Sequence, residues 1–144
     1  MAQCYAILTL ASILALSRCL QLKPDCSQLG EYAMPTDEQR MDLFFGVEAR
    51  APKKDVGLKV VYECALEGMA GLILHSPGKP LTCPQSLGIF PLIFETEDTK
   101  DVKEANKLAL QAWNNYIPHL GLIYGFGCNY VKEEGKHRYM CLFK

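Results

Sequence analysis

Apolar positions in the stretch 61–74, VYECALEGMAGLIL, recur at helical spacing. Leu66, Met69, Ala70, Ile73 and Leu74 fall at i, i+3, i+4, i+7 and i+8, which places them on one face of a helix. Glu63 and Glu67 lie near its start, where the helix dipole favours negative charge. A helix this apolar needs a covering layer, and the segments around it read as the suppliers of that cover.

Upstream, Thr36 and Gln39 form a capping-box pattern, and Asp37 and Glu38 suit a first turn. Met41, Phe44 and Phe45 continue as an apolar stripe, so a helix is expected over 37–50, stopped by Pro52. Downstream, three prolines and two glycines between His75 and Gly88 argue against regular structure through most of 75–88. The short apolar run 88–95 reads as a buried strand or an extended cover, with Pro91 favouring a sheet edge. An acidic stretch, 95–101, then leads into Val102, Ala105, Ala109, Ala112, Trp113, Tyr116 and Ile117 at helical spacing. A helix over 99–116 is expected, ended by Pro118, with Trp113 as a core anchor.

The last two segments alternate with period two. Strands are expected over 121–131 and 137–143, joined by a turn at 133–136. His137, Tyr139, Cys141 and Phe143 share one face of the second strand, and Arg138, Met140, Leu142 and Lys144 share the other. Antiparallel pairing would bring Cys128 near Cys141. Helices and strands do not alternate regularly, which argues against a doubly wound parallel sheet. The expected fold is α+β, a sandwich-like arrangement with a small antiparallel sheet between helices, stapled by disulfides.

Composition refines this picture. A chain of 144 residues is the size of one domain, and 15 basic against 16 acidic residues leave no global charge to attract nucleic acid or an anionic membrane. Residues 1–17 carry no charge and contain an apolar run, Ala6 to Leu16, of the length of a signal-peptide core. Ala15 and Ser17 supply a small-x-small cleavage pattern. The expected organisation is a signal peptide over 1–17, or to 19, a leader over 18–35, and a single domain over 36–144. No other hydrophobic run is long enough to span a bilayer. Of seven cysteines, Cys4 leaves with the signal. Cys26, Cys64, Cys83, Cys128 and Cys141 are disulfide candidates in an oxidising compartment, and Cys19 joins them if cleavage follows Ser17. Six cysteines would allow 15 connectivities, and an odd count would leave one thiol over.

Candidate chemistry is sparse. The three histidines, His75, His119 and His137, lie in three different segments, and no Cys/His spacing matches a zinc site. There is no nucleophile elbow, zinc-protease helix, phosphate loop or dinucleotide fingerprint. No catalytic residue, metal ligand or cofactor is assigned, and no N-glycosylation sequon is present. The loops 52–59 and 75–88 are the exposed candidates for partner contact.

Several of these motifs resemble the CAP superfamily of cysteine-rich secretory, antigen 5 and pathogenesis-related proteins, in the style of its nematode secreted branch (SCP/TAPS, activation-associated secreted proteins). V-Y-E-C-A-L-E-x-x-A at 61–70 is similar to that family's M-x-Y-D-C-x-L-E-x-x-A. G-F-G-C-N-Y at 125–130, followed by Y-M-C-L-F at 139–143, resembles its G-C-G … V-C-x-Y ending. A-x-x-x-x-x-x-A-W at 105–113, Cys26 and T-D-E-Q-R at 36–40 extend the resemblance over most of 26–144. The departures concern the family's cleft of two histidines and two glutamates, which binds a divalent metal in some members. H-N-x-x-R aligns with Gly46-Val47-Glu48-Ala49-Arg50, keeping the arginine and losing the histidine. G-E-N aligns with Gly88-Ile89-Phe90, the acid after the tryptophan falls at Tyr116, and the G-H-Y-T-Q segment has no counterpart.

The resemblance implies a shortened, secreted, non-catalytic protein that binds an extracellular protein, a host protein among the candidates. A lipid or sterol carrier is an alternative, with apolar residues in 86–94 and 116–126 as pocket candidates. A small secreted hydrolase or protease inhibitor is a third reading. The partner and the oligomeric state are left open by these motifs.

Overall fold

The capping box at Thr36 is the point at which the first helix begins in the computed structural model, which describes residues 23–52, 60–76, 78, 81–97, 101–121 and 123–144. The expected signal segment, Cys19, most of the 52–59 loop and the Cys83 side chain lie outside the described residues. Thr36 Oγ1 accepts the Gln39 N–H at 3.2 Å, which satisfies one of the free donors of the first turn. Helix α1 follows over Asp37–Glu48. Its buried face is Arg40, Leu43, Phe44 and Val47, shifted from the expected stripe: Phe45 is exposed and Met41 only partly covered. Before it, the leader forms a 3-10 turn, Ser27–Tyr32, kinked at Gly30.

The organising helix starts later than its periodicity suggests. Val61–Tyr62 is a short strand, β1, and helix α2 runs Cys64–Leu74. The Val61 and Glu63 N–H groups donate to the Tyr124 and Phe126 carbonyls at 2.9 and 2.8 Å, so these donors serve a sheet ladder rather than a helix. A five-residue helix, α3 (Thr82–Ser86), interrupts the segment expected to be irregular. Pro84 is tolerated there because it stands in the first turn, where a backbone donor has no helical partner. Strand β2 covers Phe90–Glu97. Helix α4, Val102–Ala112, is capped by Asp101, whose carboxylate accepts the Glu104 N–H at 2.7 Å. It is shorter than the expected 99–116: after Trp113 the chain tightens into turns and a second 3-10 segment, Ile117–His119, that contains Pro118.

Strands β3 (Gly125–Glu133) and β4 (Lys136–Phe143) close the chain. Their two-residue loop, Glu134–Gly135, has φ of 52° and 73°, the left-handed pair a tight hairpin requires. The sheet order is β1-β3-β4-β2, antiparallel except for the parallel β1–β3 pair, with β2 and its Pro91 at an edge. Alternation along β3 and β4 then divides the core. Phe126, Cys128, Tyr130, Tyr139, Cys141 and Phe143 pack with Leu43, Phe44, Val47, Ala105, Ala109 and Trp113 of α1 and α4. Met140 and Leu142 face the other way, onto Leu66, Ala70 and Leu74 of α2. The result is an α-β-α sandwich of the α+β class.

Helix α2 lies unusually close to β3. A Cβ on Gly127 would sit 2.3 Å from the Glu67 nitrogen and 2.6 Å from the Glu63 carbonyl oxygen, so only glycine admits this approach. Two disulfides fasten the layers. Cys128 and Cys141 stand opposite each other in the β3–β4 register and are bridged. Cys26 and Cys64, 38 residues apart, tie the leader to the start of α2.

Candidate functional site

One end of the sandwich is a buried polar network. Glu67 has no exposed surface. It accepts the Met34 N–H at 2.7 Å, two guanidinium N–H groups of Arg40 at 2.8 and 2.9 Å, and the Tyr62 hydroxyl at 2.6 Å. These bonds hold Arg40 firmly cationic, and burial, with Glu67 alongside, keeps the Tyr62 hydroxyl well above its ordinary pKa. Asn129 extends the network by donating to the Tyr32 and Glu67 carbonyls at 2.7 and 3.1 Å. Glu67 stands in the first turn of α2, where the dipole favours an acid, and there it is fully buried. It is the anchor that joins leader, α1, β1 and α2. The signal lay in the motifs themselves, since Arg40, Tyr62 and Glu67 all fall inside the segments that carry the resemblance.

The histidines serve separate roles. His75 Nδ1 lies 2.9 Å from the Gly71 carbonyl, and its ring packs edge-on against Tyr32. His137 is buried beside Tyr130, whose hydroxyl is 2.8 Å from Nδ1. His119 is exposed in the second 3-10 segment. Among the described residues no three His, Cys, Asp or Glu side chains gather as metal ligands.

At the opposite end, Gly88, Phe90, Tyr116, His119, Ile123 and Tyr124 are among the residues lining an open groove of about 650 Å³. The two segments singled out as apolar pocket candidates, 86–94 and 116–126, meet here. Phe90, Tyr116 and Tyr124 are 50, 57 and 61% exposed, so much of their ring surface faces solvent. Phe90 and Tyr116 stand in or beside positions that align with the acids of the CAP cleft. Gly46, at the aligned histidine position, has its side-chain space filled: a Cβ there would lie 2.3 Å from Leu110 Cδ1. Arg50, the retained arginine, donates to the Gly46 carbonyl at 2.7 Å and to Asn114 Oδ1 at 3.2 Å, tying α1 to the end of α4. A divalent ion does not fit this set, because a glycine, the buried Ile89 and a tyrosine replace the donors it would need.

A second, larger opening of about 1290 Å³ lies between the leader, the first turns of α1 and α4, and the outer part of β3. Among the described residues its lining holds six carboxylates against three lysine or arginine side chains. Asn106 lines it too. This residue is 2% exposed, and neither its Nδ2 nor its Oδ1 has a hydrogen-bond partner. An unpaired buried amide costs about 1–3 kcal/mol.

The three-layer sandwich, together with the motif series of 26–143, is that of a divergent CAP superfamily protein. The family model described as Ancylostoma-associated secreted protein related matches residues 26–143, and the chain belongs to that family. Three solved structures show the same fold. Na-ASP-1 superposes with a TM-score of 0.60 at 19% identity, over 85% of this chain but only 41% of its own length. Manganese-bound Ac-ASP-7, an Ancylostoma-secreted protein, gives 0.61 at 16% identity, over 80% of this chain and 73% of that one. BmVAL-1 gives 0.58 at 15% identity, over 78% of this chain and 79% of that one. Comparison with curated protein sequences returns no significant match. Family members are secreted-type proteins, and two disulfides suit an extracellular setting. Among the described residues no helix is long and apolar enough to cross a membrane.

Proposed function

We propose that this chain is a secreted, non-catalytic CAP protein that binds an extracellular protein, a host protein among the candidates, through the aromatic groove at the end of α4. The observation that carries the reading is the exposed trio Phe90, Tyr116 and Tyr124 around an open groove, with Tyr116 aligned to one acid of the CAP cleft and Phe90 beside the position of the other. Tyrosine and phenylalanine supply large contact areas with few rotatable bonds, and they are enriched at the centres of protein interfaces. This reading gives no residue a catalytic or metal-binding role, and Gly46, Ile89 and Tyr116 at the aligned positions support it.

The groove's size favours one second reading. A cavity of a few hundred cubic ångströms with an apolar lining also suits a lipid or sterol. A photo-crosslinking residue in place of Tyr124, in protein secreted from eukaryotic cells and exposed to extracellular fluid, tests both. A defined protein adduct that is lost with Tyr116→Ser supports the proposal. Extraction of a stoichiometric lipid, with no protein adduct, supports the carrier instead. Neither adduct nor lipid overturns both.

A further inference from the structure

The aromatic groove is the open end of a row of rings that crosses the sheet. Phe44 of α1 stacks on Phe126 of β3, and Phe126 stacks on Phe143 of β4, each pair with centroids 6.0 Å apart and nearly parallel planes. Phe90 stands directly opposite Phe143 in the β2–β4 register, so its ring leaves the sheet on the same face and is the next member of the row. Phe126 and Phe143 are 0 and 1% exposed, whereas Phe90 keeps half of its surface in solvent. Tyr116 and Tyr124 line the groove at that open end.

Charge selects what accompanies a ring entering there. Among the described residues lining the groove there is no carboxylate, and there are two nitrogen bases, His119 and Lys144. Lys144 is exposed, and its main-chain oxygen accepts the Tyr124 and Gly125 N–H groups at 2.8 and 3.1 Å. Those bonds pin the residue beside Tyr124 and turn that oxygen toward β3. The cleft at the other end, with its six carboxylates, has the opposite sign. An acidic partner segment therefore gains an ion pair at the groove, and a basic one does not.

We propose, on the reading of this groove as the partner surface, that it takes a single aromatic side chain of the partner as the next ring of the row, with a neighbouring aspartate or glutamate of the partner paired to Lys144. An aliphatic side chain lacks the π face that matches Phe90, Tyr116 and Tyr124, since ring pairs favour offset or edge-on contact at centroid separations of about 4.5–7 Å. The ion pair lies in solvent, so it contributes modestly and fades as salt rises.

The test uses the full disulfide-bonded chain, labelled with 15N, and peptides without a dye, so that nothing else competes for the rings. The probes are acetyl-Gly-Glu-Phe-Glu-Gly-amide, its glutamine-for-glutamate form and its leucine-for-phenylalanine form, each titrated to millimolar concentration. Binding is read from the backbone 1H–15N resonances of Leu120, Ile123, Tyr124 and Lys144, with Ala70 and Leu74 of α2 as the remote reference. The expected result is saturable movement at the groove, with affinity about two- to fivefold lower for the glutamine form and about two- to tenfold lower for the leucine form. Lys144→Gln should bring the glutamate and glutamine probes to equal affinity and leave Tm unchanged. Equal affinity of the parent probe and either altered form, a glutamate preference that survives Lys144→Gln, or stationary groove resonances would each overturn the inference. A protein crosslink at Tyr124 that persists beside such a result keeps the groove as a partner surface and removes only this chemistry. Absence of crosslink and lipid removes the groove reading itself. If Lys144→Gln does not fold, the comparison of the three probes on the parent chain decides the matter alone.

Discussion

The two ends of the sandwich solve opposite problems. Where the leader meets α1 and α2, polar atoms are buried and paired: Glu67 holds Arg40, Tyr62 and the Met34 amide, and Asn129 closes the ring of bonds. Where α4 runs into β3, aromatic side chains are left half in solvent and ion pairs give way to a groove. The first end is a joint, whose members need one another. The second is a surface, whose members can change without disturbing the frame. A CAP sandwich can therefore lose the acids and histidines of its cleft and keep its fold, because the anchoring charges sit elsewhere.

Breaking the joint should have the largest effect. Glu67→Gln leaves the buried Arg40 guanidinium with only the half-exposed Asp37 as counter-charge, and loss of the buried partner of such a pair costs about 3–5 kcal/mol. Urea unfolding should show the midpoint collapsing, while Tyr116→Ser at the other end should stay within about 0.5 kcal/mol of the parent. Equal losses at both ends would erase the contrast. Removing the covalent tie comes next. Cys26→Ser with Cys64→Ser frees a loop of 38 residues and should cost about 2–4 kcal/mol, read as a lower Tm; reduction of Cys128–Cys141, which closes the shorter loop of 13 residues, should lower it again by a somewhat smaller step.

A smaller effect sharpens the geometry. Gly127→Ala pushes a methyl group against the α2 backbone, and overpacking of this kind costs about 1–3 kcal/mol, read as a lower urea midpoint. The smallest effect is electrostatic. Lys23 beside Asp37, the Ser27 N–H on Asp25, and Lys136 beside Glu95 hold these carboxyls below their ordinary values. A lowered carboxyl pKa stabilises the fold above the ordinary value near 4 and loses that contribution as the pH falls through the folded value. Tm should therefore be flat from about pH 7 to 5 and decline below about 4, by a small amount because all three groups are exposed. A decline already present near pH 6 would overturn this assignment to the three carboxyls.

Much of this arrangement is written locally. The Thr36 cap, the acidic first turn of α1, the hairpin at Glu134–Gly135 and the two-faced alternation of β4 all depend on neighbours a few residues away, and each is legible from spacing alone. The same holds for Pro91 at a sheet edge. Helix limits were less legible. The periodicity of 61–74 is helical throughout, yet its first residues donate to β3, and a ladder formed with a strand more than sixty residues away leaves no local trace. The segment 82–86 shows the converse, a short helix tolerated because its proline stands where no donor is required.

By itself the chain determined its three longer helices, the edge strand, the closing hairpin and, with them, the α+β class. These follow from composition and short-range spacing, which act before the chain is compact. Only the tertiary structure decided that Glu67 is a fully buried anchor, that Phe90 and Tyr116 meet across one groove, and that the Asn106 amide is buried without a hydrogen-bond partner. Burial and partnership depend on which distant segments arrive beside a side chain, and that is a property of the packed layers, not of any stretch of sequence.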